Sequence, residues 1–328
     1  MRLATAYFFD EHKSKRAIAR QLGVTEAVIS VPGHRSLPEG LKPWDYDVLK
    51  DTVEEYEKDG LKVSVIEGPT PLDKVKLGLP GRDEEIEHFC TLMKNMNRLG
   101  IPVVCYNWMP VIGWFRSRND IKTRGGAMVT GFNYDDVKGS PHTWAGQVSQ
   151  ESLWTNLDYF LKAVVPVAEK YEIKLAIHPD DPPVPELKGI GRILISADAL
   201  KRVIDMVPSE FNGITLCQGS IAAMGENIPE AIRYFGSRKK IFFAHFRDIR
   251  GTATDFHEVF HDDGQTDMFE AMKCYKEVGF EGPIRPDHVP TMASEDNTNP
   301  GYGILGTLFA IGYMKGLIEA VDKIYCDG

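Results

Sequence analysis

The chain has 328 residues, 43% of them hydrophobic, and a formal net charge of -9, enough to bury a large core as one barrel or two ordinary domains. The acidic balance excludes a nucleic-acid partner, because phosphate backbones are bound by concentrated basic surface and the chain has no Lys/Arg-dense stretch. The apolar run in MRLATAYFFDEHKSKR is too short for a signal peptide, and nowhere do about 18 apolar residues run together, so no membrane is expected and the expected location is the cytoplasm.

In chain order, LATAYF (3–8) and AVISV (27–31) read as strands, being short and rich in β-branched or aromatic residues. A helix follows over 44–60, with Trp44, Val48, Leu49, Val53 and Tyr56 on one face and a glycine stop at Gly60. KVSVIEG (62–68) is the third strand, DEEIEHFCTLMKNMNRLG (83–100) a helix and PVVCYNW (102–108) the fourth strand. The connection from Gly113 to about Gln147 is abnormally long, and KTRGGAMVTGF within it reads as a small hairpin. Such loops are usually lids or binding elements, so 113–147 is a candidate active-site lid. Helices over 153–172, 197–207, 228–236, 267–279 and 302–323 then surround strands KLAIHPD (174–180), GITLCQG (213–219), KIFFAHFRD (240–248) and GPIRPDH (282–288).

Eight strands, most with a helix between them and the next, predict an α/β fold. The expected form is a single (β/α)8 TIM barrel spanning 1–328, with an extended loop after strand 4. A doubly wound sheet is the alternative, but no GxGxxG follows the first strand and no composition break divides the chain. The five cysteines (Cys90, Cys105, Cys217, Cys274 and Cys326) are odd in number and form no CxxC pair, so neither a disulfide framework nor a zinc ribbon is expected.

Active sites of parallel barrels gather at the C-terminal ends of the strands. The fourth strand ends with Tyr106 and Asn107, the fifth with His178, Asp180 and Asp181, and the sixth with Cys217. The seventh ends with His245, Arg247 and Asp248, the eighth with Arg285, Asp287 and His288. His178, Cys217, His245 and Asp287 thus form an N/S/N/O set able to surround one divalent cation. Singly, each has a duller reading: Cys217 as a small buried hydrophobe, His178 as a loop cap, Asp287 as a partner of Arg247 or Arg285. Four at equivalent barrel positions favour the metal. Thiolate and imidazole suit Zn2+ or Fe2+, and Mn2+ accepts mixed sites.

His288 would point away from the metal if its backbone stays extended, free to act as acid or base, or else to orient Asp287. Arg116, Arg118, Arg192 and Arg247 could hold a carboxylate through paired N–H groups, with a surface role the default for Arg118. Asn107 and Asp180 are further candidates for contact with substrate. Tyr302, between two glycines in NPGYGILG, reads as an aromatic packed at a helix start. His257 and His261 in FHEVFH lack HExxH order and read as a loop bordering the mouth, and His12, His34, His88 and His142 carry no usable pattern.

Taken together, CYNWMPV (105–111), LAIHPDDPP (175–183), LCQGS (216–220), AHFRD (244–248), FHE (256–258), MFEAMKCYKEVGFEGPIRPDH (268–288) and PGYG (300–303) resemble the mannonate dehydratase family, from about residue 60 onward. That resemblance implies a barrel of the xylose-isomerase-like kind and dehydration of D-mannonate to 2-keto-3-deoxy-D-gluconate. It implies metal ligands at His178, Cys217, His245 and Asp287, with acid/base residues at His288 and Tyr302. Mn2+ is the expected metal, Fe2+ the next and Zn2+ the third. Gly113 and Phe115 stand where the family usually has an acidic residue and a threonine, and Val184 where it commonly has tryptophan. Those loops should touch the distal hydroxyls, so mannonate or a different sugar acid is expected as substrate. The rivals are a metal-dependent isomerase or epimerase on the same barrel, against which a cysteine ligand speaks, and a non-catalytic sugar-acid binder. Base rates predict a homo-oligomer.

Overall fold

The computed structural model describes residues 1–9, 13–32, 37 and 39–326, so His12 and His34 lie outside it. The barrel strands are β1 (Arg2–Tyr7), β2 (Glu26–Ile29), β3 (Lys62–Glu67), β4 (Val103–Asn107), β5 (Lys174–His178), β6 (Asn212–Cys217), β7 (Ile241–Phe246) and β8 (Pro283–Pro286). All neighbours pair in parallel and β1 closes on β8. Each lies within a residue or two of the segment expected from the sequence.

Strand side chains alternate between faces. Ala4, Ala6, Val28, Val65, Val103, Cys105, Ala176 and Phe243 share one buried cluster inside the barrel. The same period carries Glu67, Asn107, His178, Cys217 and His245 to the strand ends above that apolar plug. Register then sets neighbours: Glu67 pairs with Cys105, Asn107 with His178, Cys217 with His245, and His245 with Arg285.

The helices bury one stripe each against the wall. Tyr46–Lys58 buries Val48, Leu49, Thr52, Val53 and Tyr56, the expected face. Gln150–Tyr171 begins at Ser149, whose hydroxyl accepts from Ser152 N and so ends the long connection after β4. Its Leu157, Phe160, Leu161 and Val164 are fully buried, and truncating any one would cost about 2–5 kcal/mol.

Within 113–147, Arg118–Lys122 and Met128–Asn133 form the expected hairpin, and it does not stand alone. Asp255–Glu258, from the connection after β7, pairs with Met128–Asn133, and Ile249–Thr252 completes a four-stranded antiparallel sheet. The two connections approach so closely at Gly131 that a Cβ there would lie 2.9 Å from the Phe256 carbonyl oxygen.

The closing helix, Ile304–Cys326, is long and apolar enough over Ile304–Tyr325 to cross a membrane by length and composition. Here it lies on the barrel wall, where Ala310, Ile311, Met314 and Val321 are fully buried.

Candidate active site

Ligand atoms of His178, Cys217 and His245 come within 4.8 Å of one another at the ends of adjacent strands β5, β6 and β7. His178 Nδ1 stands 2.6 Å from the Pro179 carbonyl oxygen. A carbonyl only accepts, so Nδ1 carries the hydrogen and the Nε2 lone pair faces His245 Nδ1 at 3.2 Å. Burial alone would raise the Cys217 thiol, but the Arg247 guanidinium opposes it, and the thiol lies well below its ordinary range and favours thiolate.

Asp287 reaches the cluster with one oxygen: Oδ2 lies 3.5 Å from His245 Nδ1. It also pairs with both arginines considered for it, accepting from Arg285 Nη1 at 2.7 Å and Arg247 Nη1 at 3.1 Å. Two imidazoles, a thiolate-prone sulfur and a carboxylate oxygen converging at neighbouring strand ends suit a divalent transition metal. The donor set therefore fits the group.

A second trio, Glu67, Cys105 and His245, also lies within 4.8 Å. Its donors are taken: Arg285 grips both Glu67 oxygens at 2.9 and 3.1 Å, and the Thr215 hydroxyl donates to Cys105 Sγ.

His288 departs from the extended backbone expected of it. The strand stops at Pro286 and His288 has φ +43°, an uncommon conformation for a residue with a side chain and one found at functional sites. Its ring therefore stays near Asp287, with Nε2 3.6 Å from Oδ2. Trp114 stacks on it at 4.7 Å and 10°, and Tyr302 meets it edge-on at 5.4 Å. Nδ1 has no hydrogen-bond partner among the described residues. Burial first, then Arg247 and Arg116, hold the imidazole well below its usual range against the pull of Asp287, so it is neutral. Half-buried Tyr302 packs on Phe8 and Phe9, and its phenol is pushed up by burial and by Asp287.

Arg116 and Arg247 are committed to carboxylates of the chain itself. Arg116 donates to both oxygens of Asp181 at 2.6 and 3.0 Å and to Glu258 at 2.6 Å. Arg247 joins Asp181 at 2.8 Å, Glu258 at 3.4 Å and Asp287. Burial pushes the Glu258 carboxyl up to about 7 despite both arginines. The Arg116 guanidinium also lies 4.8 Å from the Trp114 ring, linking this network to the cover over His288.

Asn107 Oδ1 accepts from Lys76 Nζ and from Met109 N. Asp180 Oδ2 accepts from Leu194 N, while its Oδ1 has no partner among the described residues. Arg192 Nη2 donates to the Ile112 and Gly113 carbonyls just before Trp114, and its Nε and Nη1 have no partner among the described residues. Arg118 is exposed and paired with Asp136, the surface role expected of it.

Glu67 and Glu258 were not expected from the sequence, whereas Asp181 was placed at its strand end without a role. Glu67 ends the third strand and was open to the same strand-end rule. Glu258 sits between His257 and His261, and it, not those histidines, enters the network.

The family model described as D-mannonate dehydratase (UxuA) matches residues 1–145 and 142–327. The likeness expected from about residue 60 onward therefore covers the first 60 residues as well. A mannonate dehydratase from Thermotoga maritima is 35% identical, with 99% of this chain and 100% of the relative covered. The solved mannonate dehydratase of Streptococcus suis serotype 2 superimposes with a TM-score of 0.91 at 31% identity, covering 99% of this chain and 94% of that one. A D-tagatose 3-epimerase-like protein, 16% identical with a TM-score of 0.65 and covering 99% and 100%, shares the fold. The chain belongs to the D-mannonate dehydratase family.

Proposed function

We propose that the protein is a metal-assisted hydro-lyase that removes water from an aldonic acid, D-mannonate first, to give 2-keto-3-deoxy-D-gluconate. One observation carries the reading: in a chain of this family, His178, Cys217 and His245 converge within 4.8 Å beside a neutral, buried His288. His178, Cys217, His245 and Asp287 would hold the metal, Mn2+ before Fe2+ and Zn2+. When bound, it supplies positive charge to an enediolate that is otherwise too costly to form.

The chain's own residues do the rest. Neutral His288 accepts the C2 proton at Nδ1, which has no hydrogen-bond partner among the described residues. Tyr302, kept protonated, donates to the departing C3 hydroxyl. The resulting enol becomes the 2-keto acid. Trp114 covers His288 and limits water there, so 113–147 acts as a lid. Arg192, whose Nε and Nη1 have no hydrogen-bond partner among the described residues, keeps donors for the substrate carboxylate. Asn107 and Asp180 shape the floor, and Arg116 and Arg247 act through Asp181, Glu258 and Asp287. The proposed location is the cytoplasm and the proposed state a homo-oligomer.

The test is 2-keto-3-deoxy acid formation from a panel of aldonic acids, with metal-stripped protein resupplied separately with Mn2+, Fe2+ and Zn2+. Turnover of D-mannonate that disappears on chelation and returns with metal is expected. No product from any acid would sink the reading, and preference for another acid would assign Gly113, Phe115 and Val184 to specificity.

Gly301 offers a narrower check. It has φ +87°, and a Cβ there would lie 3.0 Å from His288 Nδ1. Gly301→Ala should cost about 1–2 kcal/mol in backbone strain and displace His288, lowering kcat by up to about 100-fold with bound metal unchanged. An unaltered kcat would show that His288 need not hold this position.

A further inference from the structure

Glu67 stands where two supports of the proposed metal centre meet. Its Oε1 lies 3.3 Å from His245 Nε2. Both of its oxygens accept from Arg285, from Nη2 at 2.9 Å and from Nε at 3.1 Å. The remaining Arg285 nitrogen, Nη1, donates to Asp287 Oδ1 at 2.7 Å. The Glu67 carboxylate therefore touches His245 directly and Asp287 through one guanidinium. Its side chain is 18% exposed, and those of Arg285 and His245 are 2% and 1% exposed.

The chemistry of that contact has a direction. An ionised carboxylate accepts and cannot donate. Arg285 donates to both Glu67 oxygens, which marks the group as a carboxylate that accepts. The hydrogen of a neutral His245 therefore belongs on Nε2, facing Glu67. The lone pair is left on Nδ1, the nitrogen 3.2 Å from His178 Nε2 and 3.5 Å from Asp287 Oδ2. Nε2 makes no well-aligned hydrogen bond in the described structure, so Glu67 at 3.3 Å is its available acceptor. Cys105, the register neighbour of Glu67, is no competitor, because its sulfur already accepts from Thr215.

We propose that Glu67 is a positioning residue of the metal centre: it fixes the tautomer and ring orientation of His245 and, through Arg285, the carboxylate of Asp287. The proposal rests on the metal-centre reading above. It gives the end of β3 a part in the reaction although Glu67 need not touch metal or substrate. Outer partners of this kind typically change metal affinity or activity by 10–100-fold.

The experiment uses Zn2+ alone, without substrate. Apo wild type and Glu67→Gln compete for Zn2+ with a chromogenic chelator, and thermal melts of both apo proteins show that the variant folds. The variant should hold Zn2+ about 10–100-fold more weakly. Equal affinity in a folded variant overturns the proposal. Because loss of Glu67 also leaves Arg285 short of a partner and could prevent folding, a second measurement uses wild type only. Long-range 1H–15N correlation of histidine-labelled, Zn2+-loaded protein should show His245 bound through Nδ1 and protonated at Nε2, and binding through Nε2 overturns the proposal. Wild type that binds no Zn2+ overturns the metal-centre reading itself, a result distinct from loss of the Glu67 effect.

Discussion

Replacing His288 with asparagine is expected to lower dehydration of D-mannonate by about 10²–10⁴-fold while bound metal stays at the wild-type level. The ring is the neutral, buried base candidate beside the donor cluster, edge-on to Tyr302 and covered by Trp114. Asparagine tolerates a positive φ better than most residues, so the backbone at φ +43° is preserved while the proton acceptor is lost. A merely structural role would lower stability and leave the rate per folded, metal-loaded molecule nearly unchanged. Steady-state rates normalised to metal content distinguish the two. A near-normal rate with full metal removes His288 from the chemistry.

The second large effect is on stability. Asp181→Ala strands Arg116 and Arg247, whose guanidinium groups lie on its two oxygens in side chains 1% exposed. Breaking a buried ion pair from one side costs about 3–5 kcal/mol, because the opposite charge is left without water or a partner. A fall in Tm of roughly 5–15 °C is expected by thermal denaturation. Burial opposes ionisation of Asp181, but Arg116 and Arg247 outweigh it and hold the carboxyl well below its usual range. With the folded value depressed, the contribution is complete above the unfolded pKa of about 3.9 and is lost as pH falls toward the folded one. The gap between wild type and variant should therefore be widest above about pH 5 and narrow in acid. A shift under about 1 °C at neutral pH would show that Glu258 alone satisfies both arginines.

The barrel was legible because its signals are local. Strand runs such as KVSVIEG and KIFFAHFRD and the helical stripe from Val48 to Tyr56 declare themselves within a few residues, and the strand-end rule then places His178, Cys217, His245 and Asp287 at one mouth. What was not legible depends on distant partners. Nothing in WFRSR says that Arg116 will meet Asp181 and Glu258, or that Met128–Asn133 will pair with Asp255–Glu258. The arginines therefore read as free hands for a carboxylate when they are already holding the chain's own. His288 turned the other way for a related reason: β8 ends at Pro286, and the Val289 N–H to Gly301 carbonyl bond fixes the turn that follows. Glu67 was missed although its signal was present, an acid closing its strand as His178 and Cys217 close theirs.

The proposed dehydration removes one carbon-bound proton and one hydroxyl from the same substrate. Incubating metal-loaded protein with D-mannonate in D2O tests it directly, by mass spectrometry and NMR of the product. The expected product has lost one water and carries a keto group at C2 and a single carbon-bound deuterium at C3. A product of unchanged formula carrying deuterium at C2 would contradict the dehydration and identify an epimerase on this barrel.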